Sequence, residues 1–217
     1  MPPATATGGR AEGAGAERRH GPLMAVTLIN AYEVPPAADG PFVAGWERAR
    51  AFLATRDGFS ATALHRALRE DTALRFVNVA RVDSPEAWQQ AIADPEFPAG
   101  RMPFTAHPSL YEVAHEDGDP DGQGGVLLIN PFEVPVGDDE RFLAGWERAR
   151  DALAGRPGYL GTRLHRSLAP TDFRFVNIAR WSSPLAFARA LQQPEVQEAA
   201  AAVGFRSHPA LYEVVRG

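Results

Sequence analysis

Apolar residues are grouped early in the chain. Val26, Leu28 and Ile29 form a β-favouring run that stops at Pro35-Pro36, which predicts a strand over residues 24–34. From Asp39 the period changes. Phe42, Trp46, Ala49 and Leu53 fall on one helical stripe, which predicts a helix over Asp39–Arg56 closed by Gly58. Phe59–Leu68 and Leu74–Val82 return to strand composition, and Arg69–Ala73 is short enough to be a hairpin turn. Ser84-Pro85-Glu86 then reads as a helix start, with a capping hydroxyl, a proline in the first turn and an acid near the positive end. Pro95, Pro98, Gly100 and Pro103 predict irregular chain or a short helical turn over 95–104, and Ala106–Val113 reads as a final strand.

The same order then recurs about 100 residues later. Residues 26–69 and 126–169 are identical at 25 of 44 positions, including Gly45-Trp46-Glu47-Arg48-Ala49-Arg50, which returns unchanged at 145–150. A unit this long exceeds the roughly 20–50 residues of a solenoid repeat, so it is a duplicated domain. The expected organisation is a disordered tail over 1–23, a domain over 24–114, a Gly- and Asp-rich linker over 115–124 and a second domain over 125–217. Strand-helix-strand-strand-helix-strand is the ferredoxin-like unit of the α+β class, with helices on one sheet face only. Packing the two bare faces together would give an intramolecular dimeric α+β barrel. The chain is expected to be a monomeric pseudo-dimer or a weak homodimer.

Composition removes several function classes. The net charge is −5 and no basic stretch stands out, so nucleic acid is not an expected partner. There is no cysteine and no lysine, which excludes thiolate nucleophiles, disulfides and Schiff-base chemistry. No run is apolar enough to span a membrane and residues 1–22 have no signal-like apolar segment, so a cytoplasmic location is expected.

Candidate chemistry centres on the third strand of the second copy. Alternation puts Phe175, Asn177, Ala179 and Trp181 on one face and Arg174, Val176, Ile178 and Arg180 on the other. An amide and an indole separated by a small residue could hold a flat polar molecule, or Asn177 could satisfy a loop while Trp181 fills core. His165, like His65, lies on a second strand and is the best general-base candidate if a cavity reaches it; the alternative is a hydrogen-bonded sheet histidine. His107 and His208 precede prolines and read as turn caps. No histidine spacing resembles a metal motif. The repeated Trp-Glu-Arg-Ala-Arg block reads as a helix with an i,i+3 ion pair and is not assigned to a site.

Asn177-x-Ala179-x-Trp181, followed by Ser182-Ser183-Pro184-Leu185-Ala186-Phe187, resembles the antibiotic biosynthesis monooxygenase family, whose best-known members are small anthrone oxygenases. His208-Pro209-Ala210-Leu211-Tyr212-Glu213-Val214 and the element order are compatible, and the resemblance extends over both copies. It implies ferredoxin-like domains paired as a barrel and oxidation of an aromatic polyketide-type phenol. Molecular oxygen would be the co-substrate, with no flavin, metal or haem.

By the same resemblance, Asn177 and Trp181 would contact a small hydrophobic aromatic substrate, with Phe187 and Phe175 beside it. The first copy keeps the amide as Asn78 but has Val82 in place of the indole, with Trp88 at the position of Phe187. The family's tyrosines are replaced by Phe187 and Trp88 and by Leu164 and Leu64. Asn30 and Asn130 match an amide of the haem-degrading branch, but the haem-ligating histidine would fall near Ala200 and its tryptophan near Ala190. Asn130 is therefore either a ligand contact or a strand-end hydrogen bond. The alternatives to an oxygenase are a polyketide cyclase or aromatase, and a non-catalytic binder of a hydrophobic small molecule.

Overall fold

A computed structural model describes residues 25–98 and 102–217. The expected tail over 1–23 and residues 99–101 of the expected irregular segment lie outside them. The first copy contains β1 (Val26–Glu33), α1 (Asp39–Leu53), β2 (Phe59–Ala67), β3 (Phe76–Val82), α2 (Pro85–Ala93) and β4 (Thr105–Gly118). The second contains β5 (Val126–Glu133), α3 (Asp139–Ala154), β6 (Tyr159–Ser167), β7 (Phe175–Trp181), α4 (Pro184–Leu191), α5 (Pro194–Ala202), β8 (Arg206–Ser207) and β9 (Ala210–Arg216).

Local chemistry accounts for the boundaries. Gly58 and Gly158 both adopt φ of 90° between the first helix and second strand of their copy, a conformation open to glycine and strained for other residues. Ser84 and Ser183 cap α2 and α4, their hydroxyls accepting from the amides of Ala87 and Ala186 at 3.2 and 3.1 Å. The copies diverge after the second helix. Residues 194–202, Pro-Glu-Val-Gln-Glu followed by four alanines, form α5, whereas Pro95 and Pro98 break the equivalent stretch of the first copy.

Eight antiparallel strands close into a barrel in the order β7-β6-β4-β1-β3-β2-β9-β5, with β5 returning to β7. The two-residue β8 pairs with β5 beside β9. Closure comes from exchange: β4 of the first copy pairs with β6 of the second, and β9 of the second pairs with β2 of the first. This corrects the expected linker. Residues 115–118 continue β4, because the exposed edge of β6 offers ladder partners as far as Gly118↔Gly161.

Each strand now has an inner and an outer face. Ile29, Val77, Ile129 and Val176 meet inside the barrel with Tyr111 and Tyr212, one buried cluster drawn from both copies. The outer faces lie under the helices, where Phe42, Trp46 and Phe76 form one cluster and Phe142, Trp146 and Phe175 form its counterpart. Two tyrosines tie the halves together from the inside. The Tyr111 hydroxyl donates to the carbonyl of Phe173 at 2.9 Å, and that of Tyr212 to the carbonyl of Leu74 at 2.7 Å. Tyr111→Phe and Tyr212→Phe would each strand a buried carbonyl, at a cost of about 1–3 kcal/mol. Urea unfolding should register both losses, and an unchanged midpoint in either variant would show that water replaces the hydroxyl.

Candidate functional site

Each copy encloses a cavity between the outer face of its strands and its own helices, of about 510 Å³ in the first and about 310 Å³ in the second. Both fall within the range of small-molecule sites, about 300–1,000 Å³. The floor of each is an amide pair. Asn30 lies directly opposite Asn78 across β1 and β3, and Asn130 opposite Asn177 across β5 and β7. Alternation on the third strand holds: Asn177 and Ala179 line the cavity under the helices, while Ile178 and Arg180 face the barrel interior.

The hydrogen bonds orient these amides. Thr162 donates to Asn177 Oδ1 at 2.7 Å, and Thr62 to Asn78 Oδ1 at 2.8 Å. Asn78 Oδ1 also accepts from the indole of Trp46 at 3.0 Å, and an indole can only donate, which fixes the flip of that amide. With the oxygen engaged, the capacity left for a ligand is the pair of N–H donors. The opposite amides present the reverse. Oδ1 of Asn130 and of Asn30 is buried without a hydrogen-bond partner among the described residues. In the first copy the Asn30 nitrogen donates to the hydroxyl of Tyr32 at 2.7 Å, a residue replaced by Phe132 in the second. Each cavity thus offers a donor and an acceptor on an otherwise largely apolar surface.

The helix walls come from the repeated block. Trp146, Ala149, Arg150 and Leu153 line the second cavity, and Trp46, Ala49, Arg50 and Leu53 line the first. The sequence pattern alone gives this block an i,i+3 ion pair and no place in the site. Thr62, Thr162 and Tyr159 were also not anticipated. The identical Trp-Glu-Arg-Ala-Arg segments, on the same stripe as Ala49 and Leu53, were the available signal.

The remaining candidates separate clearly. Phe187 and Trp88 line the cavities of their copies, as do Asn130, Asn177 and Asn78. Trp181 does not line the cavity. It is fully buried between Tyr159 and Phe187, at ring distances of 5.5 and 5.3 Å, with its indole N–H unpaired among the described residues. Phe175 is also fully buried, stacked on Phe142 at 4.3 Å. His165 points away from Asn177, towards one end of the barrel interior, where it shares a second kind of cavity with His65, Arg81 and Arg180. His107 bridges Glu33 and Asp172, and His208 meets Glu133, both outside the amide cavities. No cluster of metal-ligating side chains occurs among the described residues.

The model of the antibiotic biosynthesis monooxygenase family matches residues 125–202. The second copy is therefore a domain of this family. Its fold recurs in solved structures that match both copies at once. An anthrone oxidase-like protein is 20% identical with a TM-score of 0.69, over 88% of this chain and 92% of its own. A proposed monooxygenase from Fusobacterium nucleatum is 9% identical with a TM-score of 0.57, over 88% and 93%. A protein described as a major regulator of staphylococcal pathogenesis is 12% identical with a TM-score of 0.54, over 88% and 99%. Identities this low establish a shared fold and not a shared reaction. No curated protein matches the chain significantly. No helix among the described residues is long and apolar enough to cross a membrane.

Burial also sets protonation. The pKa of His165 is pushed down to about 4, chiefly by desolvation, although its hydrogen bond to the Val176 carbonyl opposes the shift. His65 is lowered for the same reason. The unfolded chain therefore binds a proton at residue 165 that the native chain does not, between its ordinary value of 6.5 and about 4. The stability this group contributes is complete above about pH 6.5 and is lost as pH falls towards 4. Urea midpoints for the protein and for His165→Gln, compared at pH 7 and pH 5, should show a smaller acid loss in the variant. Equal losses would place the acid sensitivity elsewhere.

Proposed function

We propose that the second cavity is the site of a cofactor-independent monooxygenase that oxidises an enolisable aromatic phenol of the polyketide type. The observation that carries this reading is the amide pair. Asn177 keeps its N–H donors for a substrate oxygen, because Thr162 occupies its own oxygen, and Asn130 offers an acceptor, unpaired among the described residues, for a substrate hydroxyl. A flat aromatic molecule bearing a carbonyl and a neighbouring hydroxyl complements that floor, and the apolar walls suit its rings.

The chemistry needs no bound group. Enolisation makes the ring system electron-rich enough to reduce O₂ directly. If a ring CH₂ becomes a carbonyl, one oxygen atom enters the carbon and the other leaves as water with the two hydrogens. Four electrons pass from substrate to O₂, so no outside reductant is required. The protein contributes a dry cavity, orientation, and N–H donors placed where the enolate charge collects. Trp181 would then act from behind the wall, by holding Phe187 and Tyr159, and not by contact with substrate.

The family match over residues 125–202 supports assigning turnover to the second copy. The first copy has the amide pair as well, but Val82 and Phe59 stand where the second has Trp181 and Tyr159. Oxygen uptake with dithranol, an enolisable anthrone, tests the reading. Asn177→Ala should lower kcat/KM by roughly 5- to 150-fold, the equivalent of about 1–3 kcal/mol. Asn78→Ala should lower it by less than about threefold. Equal losses would remove the asymmetry between copies, and no loss in either would remove the amide floor from the mechanism. Turnover of a polyketide-type substrate without oxygen uptake would identify a cyclase instead.

A further inference from the structure

Two irregularities in the sheet bring together a group of side chains that neither copy could assemble alone. In β6 the register shifts between Tyr159 and Gly161, so Leu160 is an extra residue. Tyr159 therefore pairs with Trp181 and faces the same way as Thr162 and Leu164, which oppose Ala179 and Asn177. In β4 a second shift lies between Val113 and His115. It makes Ala114 the extra residue and moves His115 and Asp117 from the interior face to the outer face, opposite Leu164 and Thr162. β-Bulges re-aim side chains in this way and occur beside active sites.

The result is a cluster on the second cavity built across the copy boundary. The hydroxyl of Tyr159, a cavity-lining residue, donates to Asp117 Oδ1 at 2.7 Å. Asp117 Oδ2 accepts from Arg150 Nη1 at 3.3 Å, and His115 Nε2 lies 3.6 Å from it. Nε of Arg150, itself a cavity-lining residue, is buried with no partner among the described residues. The first cavity is built differently. Phe59 occupies the place of Tyr159, and Arg50 donates to the carbonyl of Gly217 at 3.1 Å.

Resting on the second cavity as the site of an enolisable substrate, we propose that Tyr159 and Asp117 form a proton relay that removes the enolising proton. The substrate C–H bond breaks and its electron pair forms the enolate, whose oxygen faces the N–H donors of Asn177. The proton goes to the Tyr159 oxygen as the Tyr159 proton passes to Asp117 Oδ1. Tyr159 ends as the phenol it began as, Asp117 ends protonated, and the substrate carries the charge. Burial and the bond to Asp117 both raise the pKa of Tyr159, so it serves as a conduit and not as a standing tyrosinate. The side chain of Asp117 is 24% exposed, which lets it release the proton to water. Tyr159 is the catalytic residue. Asp117 acts through Tyr159, and Arg150 positions Asp117. The first copy thereby supplies a working part to the site of the second.

The test separates proton removal from oxygen chemistry. The full chain is incubated anaerobically with dithranol in D₂O near neutral pH, and loss of the methylene proton signal is followed by NMR. The protein should accelerate exchange above the buffer rate. Tyr159→Phe and Asp117→Asn should each lower the maximal exchange rate at least tenfold, with the half-saturating dithranol concentration within threefold of its original value. Should Asp117→Asn fail to fold, Tyr159→Phe decides alone, since its ring is retained. Undiminished exchange in the variants, or no exchange with the natural chain, would overturn the relay. Oxygen uptake on the same samples keeps the two readings apart. Exchange that depends on Tyr159 without uptake retains the relay and removes the oxygenase, whereas uptake with undiminished exchange in the variants removes only the relay.

Discussion

A ferredoxin-like sheet covers one of its faces with its own helices and leaves the other bare. Ile29, Val77, Ile129 and Val176 can be kept from water only if the two bare faces meet, and β4 and β9 hold them there by crossing to the opposite copy. The ladder hydrogen bonds gained at β4–β6 and β9–β2 remove the open edges that two separate sheets would expose. Tyr111 and Tyr212 reinforce the closure from inside, each bonding a carbonyl of the other half. The hydrophobic interior therefore belongs to neither copy alone.

Closure also decides what the cavities contain. The same strands that seal the interior present their alternate residues outward, so the amide pairs end up beneath the helices and His65 and His165 inside the barrel. His165 illustrates the price of the interior position: burial lowers its pKa to about 4 and leaves it on the opposite side of the sheet from Asn177. Asn177, by contrast, sits where a neighbouring hydroxyl can occupy its oxygen and leave its nitrogen free. Two polar residues on neighbouring strands thus acquire opposite prospects from the face each one occupies.

The copies began as repeats and have diverged around their cavities. Val82 and Phe59 replace Trp181 and Tyr159, and the first cavity is the larger at about 510 Å³ against about 310 Å³. A covalent pair can diverge in this manner where a symmetric homodimer cannot, because each half is changed independently. One half can then specialise in a cavity while the other contributes a strand to it.

The hydrophobic period, the duplication and the turn residues were enough to read the six-element order of each copy, though not the added α5 and β8 of the second, together with the α+β class and the barrel, since these depend on local pattern and on a face that must be covered. Alternation also placed Asn177 and Ala179 on one face and Ile178 and Arg180 on the other, because β7 carries no register shift. The same rule misplaces Tyr159, Asp117 and His115. Strict alternation along β6 puts Tyr159 with Arg163 and His165, and along β4 it puts Asp117 with Tyr111 and Val113. A single extra residue in each strand reverses the side, and a bulge is set by pairing with a partner strand that lies far away in sequence. What the residues alone determined was therefore the fold and the face on which Asn177 lies; the pairing of that amide with Asn130 and the ring of polar groups around the two were decided by tertiary structure, where a distant strand sets the register and one inserted residue turns a side chain from the barrel interior to the cavity.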